Sequence, residues 1–333
     1  CPLHPNYEIE VREEENYFFR FSKYEKPLLK LYEENPNFVI PNFRLLEIKK
    51  FVEGGLQDFS VSRLKSKMAW GIPVPDDENH VMYVWFDALT NYISVTGWPE
   101  KEDFGGWWPG VQFAGKDNLR QQCAIWQAML LSAGIPNSEQ IFIGGFINSN
   151  GQKMSKSLGN VISPHELIER YGIDATRYLL LRHVHPFDDT DITWEKMDEW
   201  YTANLVNGLG NLVARVMKMA ETHLDGPLEL YDLEQSFNGY TSRYLDLFEF
   251  QKAIDSIWSI VQRADENIAV HEPFKLVKVD KNTAQNLIEQ LVSEIAVVGF
   301  NLQPIMPKTA DIILEAVRTN KKPNNLFPRL ESK

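Results

Sequence analysis

Cysteine is nearly absent from this chain: of 333 residues only Cys1 and Cys123 carry a thiol. Two isolated thiols exclude a disulfide framework and fit a reducing, cytoplasmic setting. Cys1 and His4 have a metal-like spacing, but tetrahedral zinc needs four ligands, and no second Cys-x-x-Cys or Cys-x-x-His lies near them. No zinc and no other metal site is expected. Long apolar runs are missing too. The stretches 141–147 and 294–302 are too short, or too interrupted by polar residues, to cross a bilayer, so no transmembrane helix is expected. Positive charge is in deficit: 34 Lys and Arg against 46 Asp and Glu leave a net charge of −12. Bulk electrostatics therefore repel nucleic acid, and any such binding must rest on local patches and specific contacts. A signal peptide is also missing, and a chain that opens on Cys-Pro-Leu-His rather than methionine reads as an excerpt of a longer protein.

What is present is ample for more than one core, since 44% of the residues are hydrophobic. Residues 1–62 mix strands and short helices with many charges, and are broken at Pro27, Pro36, Pro41 and Gly54-Gly55 in the manner of a connecting insertion. Over 63–135 the pattern becomes a strand at Met82–Phe86, a second at Val111–Ala114 and a helix from Asn118 to Ala133. Strands alternating with helices indicate a parallel α/β sheet. Residues 136–195 begin with a further strand, Gln140–Gly144, and continue into a polar loop around 148–160. From 196 to 333 apolar residues recur every three or four positions, as at Leu205, Leu209, Leu212, Val213 and Val216, which predicts an α-helical bundle with one long loop near 225–239. The fold class is thus α/β plus all-α.

Three constellations carry chemistry. Lys153-Met154-Ser155-Lys156-Ser157 lies in the polar loop, just before a helix start at Ser163-Pro164. Two lysines three apart on a glycine-flanked loop can close over a triphosphate. When a carboxylate attacks the α-phosphate of ATP, negative charge builds on the departing pyrophosphate, and fixed ammonium groups and backbone N–H groups stabilise it. The alternative is a solvated basic loop. Gly115-Lys116-Asp117 follows the Val111 strand, at the carboxyl end where open α/β sheets bind ligands; helix capping is the competing role for Asp117. Asn207, Asn211 and Arg215 are four apart, so they project from one face of a helix. Two amides and a guanidinium can read the bases of an unstacked loop, and an exposed polar stripe is the other reading.

The string 153–160 resembles the second signature of class I aminoacyl-tRNA synthetases, and the run Pro164 to Leu181 resembles its usual continuation, with Asp174 as an N-cap-like residue. Four other segments resemble the methionyl-tRNA synthetases in order and spacing: Glu13 to Tyr24, Asp58 to Arg63, Trp70 to Pro73 and Val84 to Tyr92. The resemblance spans essentially the whole chain and implies the second half of a Rossmann-type catalytic domain, a stem-contact fold and a helical anticodon-binding domain.

By that resemblance the reaction is ligation of L-methionine to methionine tRNA, driven by ATP with its Mg2+. Lys153, Ser155 and Lys156 would act in catalysis, with Gly115, Asp117, Met154 and Ser157 completing the adenylate site. Trp85, Ala88, Leu89, Tyr92 and Gln122 would line the methionine pocket, where sulfur packs well against aromatic edges. Asn207, Asn211 and Arg215 would read the anticodon. Phe274 would stand in for the family's stacking tryptophan, with core packing as its alternative.

The sequence departs from the family pattern in places. Gln122 and Gly144 occupy positions where the family carries histidine, and no H-x-G-H signature occurs among the seven histidines. That signature is expected upstream of Cys1, so the chain alone is expected to be inactive. The rival readings are a non-catalytic tRNA-binding module and another class I synthetase.

Overall fold

The computed structural model describes residues 13–101, 103–229 and 239–330. Cys1, His4 and most of the 225–239 loop lie outside that range. The chain divides into two compact units, Cys1–Gly144 and Gly145–Lys333.

The first unit is built on a parallel sheet with the spatial order Val39–Ile40, Gln140–Gly144, Val111–Gly115. Its central strand reads Ile-Phe-Ile and is buried throughout, as a strand covered on both faces must be. Helices Glu25–Glu34, Asn42–Glu53 and Trp126–Ala133 supply the cover through Leu28, Tyr32, Leu45, Ile48, Val52, Trp126 and Leu130. A small antiparallel sheet, Ser62–Leu64, Asp77–Met82 and Pro73–Val74, stands beside it in the same unit.

Two expectations are corrected here. The strand expected at Met82–Phe86 ends at Met82, and Val84–Ala88 is helical, so Trp85 stands on a helix. Extended Tyr83 makes the junction, and the inward residues beyond it, Phe86, Leu89 and Ile93, step by three and four. The single helix expected over Asn118–Ala133 is instead a 3₁₀ turn at Lys116–Asn118, a π-wound turn at Gln121–Ile125 and an α-helix that stops at left-handed Gly134.

The second unit opens with a three-stranded sheet ordered Gln152–Lys153, Ile147–Ser149, Thr190–Ile192. Gly145 is sterically obligatory, because a Cβ there would lie 2.3 Å from the Asp188 carbonyl oxygen. Helix Pro164–Tyr171 begins with a capping box between Ser163 and Glu166, as the Ser-Pro signal requires. The bundle follows, with long helices at Asn211–His223, Phe250–His271, Lys281–Leu302 and Pro307–Thr319 around a core of Leu212, Val216, Ile257, Ile288, Ile295 and Ile313. Asp174 is not the cap of its own helix, Ile173–His183, whose N-cap is Gly172. Its Oδ2 instead accepts a 2.6 Å hydrogen bond from the Thr309 backbone N–H. It therefore satisfies an open donor at the start of Pro307–Thr319, where Met306 has no side chain to do so.

Candidate functional site

In the first unit, Gly115 ends the edge strand at the carboxyl side of the parallel sheet, and Asp117 stands exposed in the 3₁₀ turn that follows. Gly115 holds the N-cap position of that turn. Trp85, Ala88, Leu89 and Tyr92 fall at intervals of three, one and three along Val84–Ala88 and Asn91–Ser94, which gathers them on one side. Leu89 is buried in the core, whereas Trp85 is 38% exposed. Gln122, only 4% exposed, donates from Nε2 to the Tyr92 hydroxyl at 2.9 Å. Its Oε1 has no partner among the described residues and is a buried acceptor left open. Trp126 was missed from sequence; its ring backs Tyr92 at 6.1 Å, and only its place one helical turn beyond Gln122 could have pointed to it.

In the second unit the Lys-Met-Ser-Lys-Ser string forms a tight hairpin and turn. Gln152–Lys153 pairs with Asn148–Ser149, and Lys153 Nζ lies 3.9 Å above the Phe146 ring. Asn160 clamps the loop from inside: its Oδ1 accepts from the Ser155 N–H at 2.9 Å and its Nδ2 donates to the Lys153 carbonyl at 3.3 Å. Ser155 and Ser157 hydroxyls meet at 2.8 Å, Met154 packs on the unit's core, and Lys156 begins a 3₁₀ turn that closes at left-handed Gly159. The arrangement fixes the loop's base through Asn160 and Met154 while the Lys156 side chain stays in solvent.

The helical residues separate into two places. Asn211, Arg215 and Phe274 line one groove of about 490 Å³, together with Lys218, Thr222, His223 and Lys322. Asn207 is not among the residues lining that groove; it lies in the π-wound stretch Tyr201–Gly210 and lines a second groove. Phe274 is 46% exposed, which removes core packing as its role. Arg215 is held by Asp265 at 3.2 Å, and burial pushes the Asp265 carboxyl up while Arg215 pulls it down. Lys218 was legible as one further step along the same helix. Lys322, far off in sequence, gave no signal.

A Rossmann-like α/β core followed in the chain by this hairpin and by an α-helical bundle is the architecture of a class I synthetase. Comparison with known proteins gives the particular branch. The chain belongs to the family of class I tRNA synthetases designated M, whose model matches residues 4–217. It is 36% identical to a methionine–tRNA ligase of Nostoc over 95% of its length and 38% identical to one of Brucella suis over 94%. It spans 63% and 64% of the length of those two relatives. Among solved structures it resembles Mycobacterium tuberculosis methionyl-tRNA synthetase bound by methionyl-adenylate, with a TM-score of 0.85 and 35% identity, covering 95% of this chain and 69% of that one. The free state of the same mycobacterial protein gives a TM-score of 0.81. Among the described residues no helix is long and apolar enough to cross a membrane, and no cluster of His, Cys, Asp or Glu could hold a metal ion.

Proposed function

We propose that the protein to which this chain belongs activates L-methionine with ATP and transfers it to methionine tRNA. In the first step a methionine carboxylate oxygen bonds to the α-phosphorus, the bond to the bridging oxygen breaks, and pyrophosphate departs. In the second a hydroxyl of the terminal ribose of the tRNA attacks the acyl carbon, and AMP leaves. ATP enters with Mg2+ as a substrate complex. Lys156 and Lys153 meet the charge that grows on the departing pyrophosphate, Ser155, Ser157 and the loop N–H groups add hydrogen bonds, and Gly115 and Asp117 hold the adenylate ribose. Trp85, Ala88, Leu89 and Tyr92 surround the thioether.

The observation that carries the amino-acid assignment is the open acceptor of Gln122 beside Tyr92 and next to an apolar, aromatic wall. A buried acceptor without a donor is costly, and a substrate ammonium or amide donor would satisfy it. The single exposed ring in the groove of Asn211 and Arg215 supports anticodon binding, because a base can stack on Phe274 while the amide and guanidinium read its edge.

Pyrophosphate exchange with each amino acid in turn tests the first half of this reading: methionine alone should support it in the full-length protein, and Gln122→Leu should raise the KM for methionine more than it lowers kcat. Charging of tRNA with a CAU anticodon against one with an altered anticodon tests the second half. Arg215→Ala should reduce that preference, and if the preference stays intact this face is not the reader.

A further inference from the structure

The helix that carries Asn207 leaves α-helical winding where that residue sits. The backbone is crowded at two glycines of the π-wound stretch: a Cβ on Gly208 would stand a tight 3.2 Å from the Ala203 carbonyl oxygen, and one on Gly210 would clash at 2.9 Å with that of Leu205. Each is the carbonyl five residues back, the one that i→i+5 winding brings close. Asn207 lines a groove of about 380 Å³ together with Thr202, Val206, Arg329 and Leu330.

The chain's last described segment is fastened over this helix. Phe327 is buried, sits 3.2 Å from where a Gly210 Cβ would be, and meets Tyr201 edge to face at 6.3 Å. The Tyr201 hydroxyl donates to the Pro328 carbonyl at 2.9 Å. This anchorage delivers Arg329 to the groove. Thr202, Asn207 and Arg329 are all exposed, and neither Asn207 nor Arg329 is drawn into a hydrogen bond or ion pair among the described residues.

We propose that this groove is a phosphate subsite for RNA, in which Arg329 grips a phosphodiester and Asn207 and Thr202 hydrogen-bond to the same stretch of backbone. The inference rests on the tRNA reading above. A guanidinium with five donors, flanked by two neutral polar side chains and, among the described residues, by no carboxylate, selects an anion. In an acidic chain most cations near the bundle's other groove are neutralised, Arg215 by Asp265 and Lys218 by Glu221, whereas Arg329 is not. No aromatic ring lines the groove, so a base has nothing to stack on and contact falls to the backbone. A polynucleotide fits better than a free anion because Asn207 and Asn211 are four residues apart on one continuous helical run, so one strand can reach both grooves.

The test is binding of the full-length protein to tRNA with a CAU anticodon and to one with an altered anticodon, across a series of salt concentrations. Arg329→Ala should weaken both by the same factor, about threefold to tenfold, and should lower the slope of log affinity against log salt by about 0.7, while Arg329→Lys keeps the slope. Asn207→Asp should likewise weaken both. Unchanged affinity and slope in Arg329→Ala, or a change in its anticodon preference, would overturn the proposal. So would a thermal shift from inorganic phosphate that Arg329→Ala abolishes with no effect on tRNA, the sign of a free-anion site. Arg215→Ala is the control: if it erases anticodon preference while Arg329→Ala does nothing, only this inference fails, and if the protein binds no tRNA at all, the tRNA reading fails with it.

Discussion

At the scale of single residues, two side chains separate a chemical role from a structural one. Lys156 is exposed on a loop whose base is fixed by Asn160 and Met154, so removing its ammonium leaves the loop's own contacts in place. Lys156→Ala in the full-length protein is expected to slow adenylate formation about 10²-fold to 10³-fold, with the KM for methionine little changed, as measured by stopped-flow kinetics. His183 is the opposite case. Its ring stacks on Trp200 at 4.1 Å, its Nε2 lies 3.3 Å from the Asn204 amide nitrogen, and burial, with Arg182 nearby, pushes its pKa down from 6.5 to about 4. Between those values the unfolded chain takes up a proton that the native one refuses, so this contribution to stability is complete above about pH 6.5 and declines as pH falls towards 4. Denaturant titrations of His183→Gln should show a flatter pH dependence in that window. His80 responds with the reverse sign: bonds to the Glu15 carbonyl and to Asp77 raise its pKa, so what it adds is present in acid and lost as pH rises through its folded pKa.

At the scale of elements, the π-wound stretch is the most demanding feature. Gly210→Ala must push a methyl group against the Leu205 carbonyl and the Phe327 ring, and is expected to cost about 1 to 3 kcal/mol in chemical denaturation. The size of that loss checks whether the close approach is rigid. This element also marks the limit of what could be read from sequence. Ser163-Pro164 announced its helix because the capping box is local, and Val111 to Gly115 and Gln140 to Gly144 were legible as short, mostly apolar runs, although only the second proves to be a buried strand. Met82 to Phe86 looked the same and was not, since five apolar residues cannot distinguish a strand end from a first helical turn. Spacing by four assumed an α-helix from Asn207 to Arg215, and nothing short of the paired glycines hinted at the π winding found at Asn207. The chemistry of the Lys-Met-Ser-Lys-Ser loop was legible as a string, but its clamp by Asn160 was not, because amide placement depends on the fold.

At the scale of the whole chain, the net charge of −12 constrains the proposed tRNA binding. Among the described residues Arg215, Lys218 and Lys322 bring positive charge to the larger groove, and Asp265 and Glu221 already pair with two of them, so that groove's share of the wild-type salt slope for tRNA binding should be shallow, no steeper than about −2 at about 0.7 per phosphate contact. Fluorescence titrations from low to moderate salt measure it, and a slope several times steeper would mean a larger basic surface than these residues supply. One contact also ties the molecule's shape to the order in which it is made. Asp174 and Thr309 are 135 positions apart, and at translation rates of about 5 to 20 residues per second Asp174 is synthesised roughly 7 to 27 s before its partner. Through that interval its carboxyl group has water for company rather than the helix end it will serve, so helix Pro307–Thr319 docks onto a bundle that has kept a polar socket open for it.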